Sequence, residues 1–130
     1  MLCLVNWTRA RRGLRPLRAS SELELAAERK AAAILRCGLS HSPCRTPSLS
    51  FIQEVGYGSG RRWSVGENLA FASWALSARA VFALWLRSDE HRANVLSPRW
   101  RDIGIVELSD DGPDEQTVVW VVEFGWTRAG

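Results

Sequence analysis

The segment Thr117 to Phe124 limits the fold more than any other part of the chain. Val118, Val119, Trp120, Val121 and Val122 follow one another without a polar interruption. β-Branched and aromatic residues at this density read as a strand. Successive side chains of a strand point to opposite faces, so this one is apolar on both. A solvated face would show polar alternation, and an antiparallel strand without it needs cover on each side. Ile103 to Leu108 is a second β-rich run. Between the two lies Ser109-Asp110-Asp111-Gly112-Pro113-Asp114, a strong turn signal. The cover has to come from helices upstream. The fold class is therefore α+β: a three-layer α-β-α sandwich with a central, mainly antiparallel sheet. No internal repeat and no low-complexity linker divides the chain, so residues 1–130 read as a single domain.

The helices that would supply the cover are visible as 3.6-residue patterns. Ser20 or Ser21 opens one, with Glu22 and Glu24 in the first turn where the helix dipole favours acids. Leu23, Ala27, Ala31 and Ile34 recur at helical spacing, and Gly38 closes the element. Ser77 to Ser88 carries Val81, Phe82, Leu84, Trp85 and Leu86 on a broad apolar face. A short helix N-capped by Ser88 follows, with Asp89 and Glu90 in its first turn and Pro98 ending the segment. Leu2 to Arg12 reads as an N-terminal helix with Leu2, Val5, Trp7 and Ala10 near one face and arginines on the other. Gly13 ends it, and Arg15-Pro16 enforces an extended connector. Asn6, inside this helix, reads as a capping or surface amide. Ser40 to Ser50 is polar and broken by Pro43 and Pro47, which places His41 on a loop. Phe51, Ile52 and Val55 form a short helical patch before the loop of Gly56, Gly58 and Gly60.

Composition excludes several function classes. A chain of 130 residues buries a sufficient core without metal or disulfide staples, and 46% hydrophobic residues argue against disorder. The net charge of +3 comes from arginine, since Lys30 is the only lysine. Arg9, Arg11, Arg12, Arg15 and Arg18 cluster, but the other charges alternate with acids, so no nucleic-acid partner is expected. No apolar run reaches the length of a membrane span, and no integral membrane association is expected. Met1 leads directly into an amphipathic stretch rather than a signal peptide, which implies either a cytoplasmic protein or an upstream segment outside this chain. Seven tryptophans suit a compact core, with some left to line a groove. Cys37 and Cys44 are close enough to staple the loop that carries His41, leaving Cys3 with a missing partner or as a buried free thiol. A zinc site from Cys37, His41 and Cys44 is the alternative, although the spacing matches no standard finger.

The chemistry concentrates on Trp63 to Phe71, an apolar run with one carboxylate, Glu67, in its middle. The only two histidines, His41 and His91, lie about equally far on either side. Either Glu67 is satisfied by backbone N–H groups at a chain bend, or the fold brings both imidazoles onto it to line a cleft. With Ser88 as N-cap, His91 falls at the third helical position, where the positive end of the dipole disfavours imidazolium. Two histidines, one carboxylate and an open position make a plausible Zn²⁺ site. Ser64, Ser73 or Ser88 would be the nucleophile of a hydrolase, but none lies in a nucleophile elbow, and the reading leans away from an enzyme.

The motifs also resemble a known family. Leu4-Val5-Asn6, Arg9 and Gly13-Leu14-Arg15-Pro16-Leu17 are similar to the opening of bacterial CAP-superfamily domains, also called SCP-like, which include the pathogenesis-related protein 1 group. Ser40-His41, Gly66-Glu67-Asn68-Leu69-Ala70, Trp85-Leu86-Arg87-Ser88, His91-Arg92-Ala93-Asn94-Val95-Leu96, Ile103-Gly104 and Trp120-Val121-Val122-Glu123-Phe124-Gly125 follow in the family's order. The resemblance implies an α-β-α sandwich and a cleft lined by two histidines and one or two glutamates, sometimes metal-occupied. It carries His41, Glu67 and His91 over as cleft residues and, as a set, as ligands of Zn²⁺ or another divalent cation. Asn68, Ser88 and Glu90 join them in the lining. Ser88 stands where eukaryotic members have the second glutamate, with Asp89 and Glu90 beside it, and Val65 stands where a tyrosine often precedes the Gly-Glu-Asn triplet. The resemblance further implies an extracellular or cell-envelope protein, with its signal segment outside this chain. The expected function is a secreted binding module for a divalent cation and a small amphipathic or cell-wall-derived ligand. The alternative is a metal-assisted hydrolase acting on peptide or cell-wall material.

Overall fold

The long strand β4 (Gln116–Ala129) runs through the interior of a four-stranded sheet. The computed structural model describes residues 1–113 and 115–129. β4 pairs antiparallel with β3 (Asp102–Asp111) on one side and with β2 (Arg61–Ala72) on the other. The two-residue strand β1 (Arg18–Ala19) adds to β3 in parallel, so the order is β1-β3-β4-β2 and β2 is an edge. β1 is the extended connector after Pro16. β3 begins at Asp102 and continues through Asp111, so Ser109, Asp110 and Asp111 belong to the strand rather than the turn, while Asp114 lies outside the described residues.

Alternation along β4 explains the layers. Val118, Trp120, Val122 and Phe124 join a core cluster with Val5, Val81, Phe82, Trp85 and Val95. These come from α1 (Leu2–Ala10), α4 (Ala78–Arg87) and α5 (Asp89–Leu96). Val119 and Val121 join Ala27, Ala31 and Ile34 of α2 (Ser21–Cys37) on the opposite face. α3 (Ser48–Glu54) closes that second layer through Phe51 and Ile52. The helix α2 starts as its sequence implies, with the Ser20 hydroxyl accepting from the Leu23 N–H. It lies so close to β3 that a Cβ at Gly104 would stand 2.2 Å from the Leu23 carbonyl carbon. Only glycine permits that approach.

Four details of the N-terminal half differ from the sequence expectation. The Asn6 side chain is neither a cap nor a surface group: it donates to the Leu17 carbonyl and accepts from the Leu17 N–H. That pair satisfies a backbone site which a helix or sheet would otherwise serve. Arg9 does not share the solvated face of its neighbouring arginines. It is fully buried and donates to the carbonyls of Arg15, Val95 and Ser97, tying α1 to the end of α5. Trp7, placed by the sequence on the apolar face, is instead 64% exposed. The thiol of Cys3 is free and exposed rather than buried.

Candidate functional site

The stretch around Glu67 is a strand, not a bend, and its alternation builds the site. Gly66 and Asn68 meet the α5 layer, and Glu67 between them meets α2. A Cβ at Gly66 would stand 2.7 Å from Cζ2 of Trp100 and 3.0 Å from Oδ1 of Asn94, so the glycine lets α5 and the following segment close on β2. The Asn68 side chain donates to the His91 carbonyl at 3.1 Å. Asn94 donates to the Glu67 carbonyl at 3.1 Å and to the Asn68 side chain at 2.9 Å. Trp85, under His91, donates through its indole N–H to the Leu69 carbonyl. The edge strand is thus held to α4 and α5 by side chains rather than by another strand.

On the α2 face, Glu67 enters a buried ionic cluster. The Lys30 Nζ of α2 donates to Glu67 Oε2 at 2.5 Å and to Ser48 Oγ at 2.8 Å, and stands 3.8 Å from Glu123 Oε1. The Lys30, Glu67 and Glu123 side chains are 1%, 8% and 2% exposed. Glu123 lies directly across the β2–β4 ladder from Glu67. His41 Nδ1 is 2.5 Å from Glu67 Oε1, and the His41 side chain is 62% exposed.

The two carboxyls have opposite ionisation tendencies. Burial pushes Glu67 up, but a hydrogen bond from Glu123, the charge and hydrogen bond of Lys30, and a hydrogen bond from His41 together outweigh it. Glu67 is held below the usual carboxylate range. Burial first, then the hydrogen bond to Glu67 and its charge, hold Glu123 well above that range against the pull of Lys30. Two carboxyls in contact cannot both ionise cheaply. The pair therefore carries one proton, on Glu123, which donates to Glu67. An ionised Glu67 only accepts, so the proton of the His41–Glu67 hydrogen bond resides on Nδ1.

The structure brings His41 into contact with Glu67 and ties the His91 backbone to the neighbouring Asn68. His41 is near enough for its charge to disfavour a charged His91. The His91 imidazole is held below its ordinary pKa chiefly by burial, with the charge of Glu90 opposing. The direction matches the expectation for its helical position, but the leading cause is desolvation. Ser88 occupies the N-cap of α5 without a side-chain cap bond. Glu90 is exposed and acts on His91 through its charge. The backbone N–H groups proposed as partners for the Glu67 side chain are replaced by Lys30, His41 and Glu123.

The loop that presents His41 is closed by a Cys37–Cys44 disulfide, with the two Cα atoms 5.3 Å apart. Sulfurs bonded to each other are not thiolate ligands, which removes the zinc alternative built on them. The loop borders a cavity of about 490 Å³ lined by Cys37, Ser40, Ser42, Pro43, Cys44 and Arg45, a lining that includes the two residues flanking His41 but none of His41, Glu67 and His91. A second cavity of about 510 Å³ lies at the start of α2, between Arg18, Tyr57, Arg61 and Asp102, and gathers none of the expected site residues.

Lys30, Glu123, Ser48 and Asn94 are not among the residues the sequence singled out for the site. The signals were present. Lys30 falls on the Leu23-Ala27-Ala31-Ile34 stripe of α2, where a cation demands a partner, and Glu123 interrupts the apolar run of β4. Whether the set His41, Glu67 and His91 fits a divalent cation turns on Glu67. Each of its oxygens already takes a hydrogen bond, from His41 and from Lys30. Among the described residues, no three His, Cys, Asp or Glu side chains are gathered as a metal-holding group. The arrangement does not fit a metal ion on Glu67.

Comparison with known proteins follows the same fold. The sequence profile described as CAP, the cysteine-rich secretory protein family, matches residues 2–124. No functionally curated protein matches the sequence. An outer surface protein of Borrelia burgdorferi superposes with a TM-score of 0.80 at 22% identity, over 98% of this chain and 90% of that one. An extracellular, SCP-domain-containing protein of Bacillus anthracis gives 0.70 at 22% identity, over 93% of this chain and 37% of its own length. A cysteine-rich secretory protein of Staphylococcus aureus gives 0.63 at 16% identity, over 92% and 36%. At these identities the likeness is one of fold.

Proposed function

Because the chain belongs to the CAP, or cysteine-rich secretory protein, family, we propose that it is a secreted binding module whose ligand docks on the β2 edge. The ligand is a small amphipathic or cell-wall-derived molecule. One observation carries the reading: the polar groups of the site divide into a buried layer whose charges compensate one another and an open one. Lys30, Glu67 and Glu123 are mutually compensated and shielded. His41 stands exposed in front of them, on the disulfide loop that borders the cavity, with His91 partly exposed on the neighbouring helix. An oriented imidazole with its far nitrogen free is a specific hydrogen-bonding group for an incoming ligand. The disulfide supports an oxidising compartment. So do the extracellular and outer-surface descriptions of the structural neighbours.

The test is a titration of isotopically labelled protein with soluble peptidoglycan fragments and, separately, with a short-chain amphiphile below its micellar concentration. Binding at this site shifts the ring signals of His41 and His91, and His41→Ala weakens it at least tenfold. Shifts confined to other surfaces would refute the reading. Time-dependent cleavage of the fragments, lost in His41→Ala, would replace it with the hydrolase.

A further inference from the structure

Lys30 is the buried charge that the expected chemistry of the cleft leaves unused. It is the single lysine of the chain and is fully buried on the apolar face of α2, among Ala27, Ala31 and Ile34. A lysine is almost never found there unless it is paired, because taking an ammonium out of water is costly. An ammonium has three N–H donors. Two oxygens accept from this one, Glu67 Oε2 at 2.5 Å and Ser48 Oγ at 2.8 Å, and Glu123 Oε1 faces it at 3.8 Å as an ion-pair partner without a hydrogen bond. The Phe51 ring supplies a fourth side, with its centroid 5.0 Å from Nζ. Two carboxyls and a hydroxyl are the oxygen donors that a hard divalent cation would otherwise collect.

We infer that Lys30 is the resident cation of this carboxylate pair, so that an ammonium built into α2 holds the position a metal ion would take at Glu67 and Glu123. Charge bookkeeping agrees. One ammonium and one carboxylate cancel when the second carboxyl keeps its proton, and this is the state that burial favours for Glu123. A divalent ion would bring a surplus charge into a layer with no room for more anions. The inference holds whether or not the cleft takes the ligand proposed above, since it concerns the layer behind His41.

A single lysine makes the test direct in the unaltered chain. The protein is treated with a small water-soluble amine-acylating ester, and Lys30 labelling is followed by peptide mass mapping. Labelling is expected to be at least tenfold slower in the folded chain than in the urea-unfolded one, and unchanged by excess zinc. Equal rates in the folded and unfolded chains would overturn the inference. So would a tenfold acceleration by zinc at an unchanged circular dichroism spectrum, because the metal would then be displacing the ammonium. Calorimetry adds an independent reading. The zinc isotherm of Glu67→Gln should superpose on that of the wild type, and zinc binding weakened tenfold by that substitution would place the metal on Glu67 and refute the assignment.

Discussion

Replacing the two glutamates of the buried cluster, one at a time and together, separates a shared charge from two independent contacts. Glu123 is the protonated partner, so Glu123→Gln exchanges one neutral hydrogen-bond donor for another of nearly equal volume. The cost should stay below about 1 kcal/mol, the scale of an ordinary hydrogen bond. Glu67→Gln removes the charge that faces Lys30 and His41. Each lost charge-assisted hydrogen bond is worth about 1.5–3 kcal/mol. Glu123, however, stands 3.8 Å from Nζ and can ionise in its place, so the net cost should be about 2 kcal/mol after one such bond is recovered. In the double variant nothing can take over. The Lys30 ammonium, 1% exposed, is left without a carboxylate, and an uncompensated buried charge costs about 3–5 kcal/mol. The double variant should therefore be less stable than the sum of the singles by about 2 kcal/mol, well above the roughly 0.5 kcal/mol scatter of independent sites. Urea unfolding at about pH 4.5, where the Glu123 proton is not yet costly to hold, followed by tryptophan fluorescence with unchanged m-values, measures all three. Additivity would show that the carboxyls do not share Lys30, and the account of the cluster would fail.

Two further outcomes follow from the same geometry. The Glu123 carboxyl is raised in the folded state, so the stability it contributes is complete below the unfolded carboxyl pKa of about 4.5. That stability is lost as pH rises towards the folded value, at up to about 1.4 kcal/mol per pH unit. Stability curves of the wild type and Glu123→Gln should consequently diverge in favour of the variant from about pH 4.5 upward, and parallel curves would contradict the raised pKa. At Gly66, a methyl group would press on the ring of Trp100, which is itself buried and stacked on Phe124. Gly66→Ala should cost about 1–3 kcal/mol in urea unfolding and shift the ring signals of His91, whereas a variant of wild-type stability would show that α5 does not need the close approach.

The sandwich was legible because its evidence is local. The doubly apolar run Val118 to Val122 demands cover on both faces, and the helical spacing of Leu23, Ala27, Ala31 and Ile34 identifies one of the covers. The site was legible only in part. His41, Glu67 and His91 stand out as rare polar groups in an apolar setting, and the motif order places them together. Their partners were not legible because pairing across layers is a tertiary property. Nothing local joins Lys30 of α2 to Glu67 of β2, or Glu67 to Glu123 across the β2–β4 ladder. Arg9 and Asn6 show the same limit. Both read as surface polar residues of an amphipathic helix, yet each is committed to backbone carbonyls far away in the chain or across a connector.

The position of β2 at the sheet edge explains why this polar chemistry gathers where it does. An interior strand would present Glu67 to one layer and Gly66 and Asn68 to the other, with the sheet as a wall between them. At an edge the strand has no neighbour on one side, and the loop after α2, which meets Glu67, and the start of α5, which meets Asn68, bring His41 and His91 within electrostatic reach. An unpaired edge also carries backbone groups that would recruit another strand. Here the Asn94 side chain takes the Glu67 carbonyl, and Asn68 and Trp85 tie the neighbouring strand residues to α5 and α4. The Gly66-Glu67-Asn68 triplet therefore does three separate jobs in three consecutive residues. The glycine admits the neighbouring layer, the carboxylate anchors His41 and accepts Lys30, and the amide fixes His91. Moving the triplet by one residue would turn each of these groups to the wrong face.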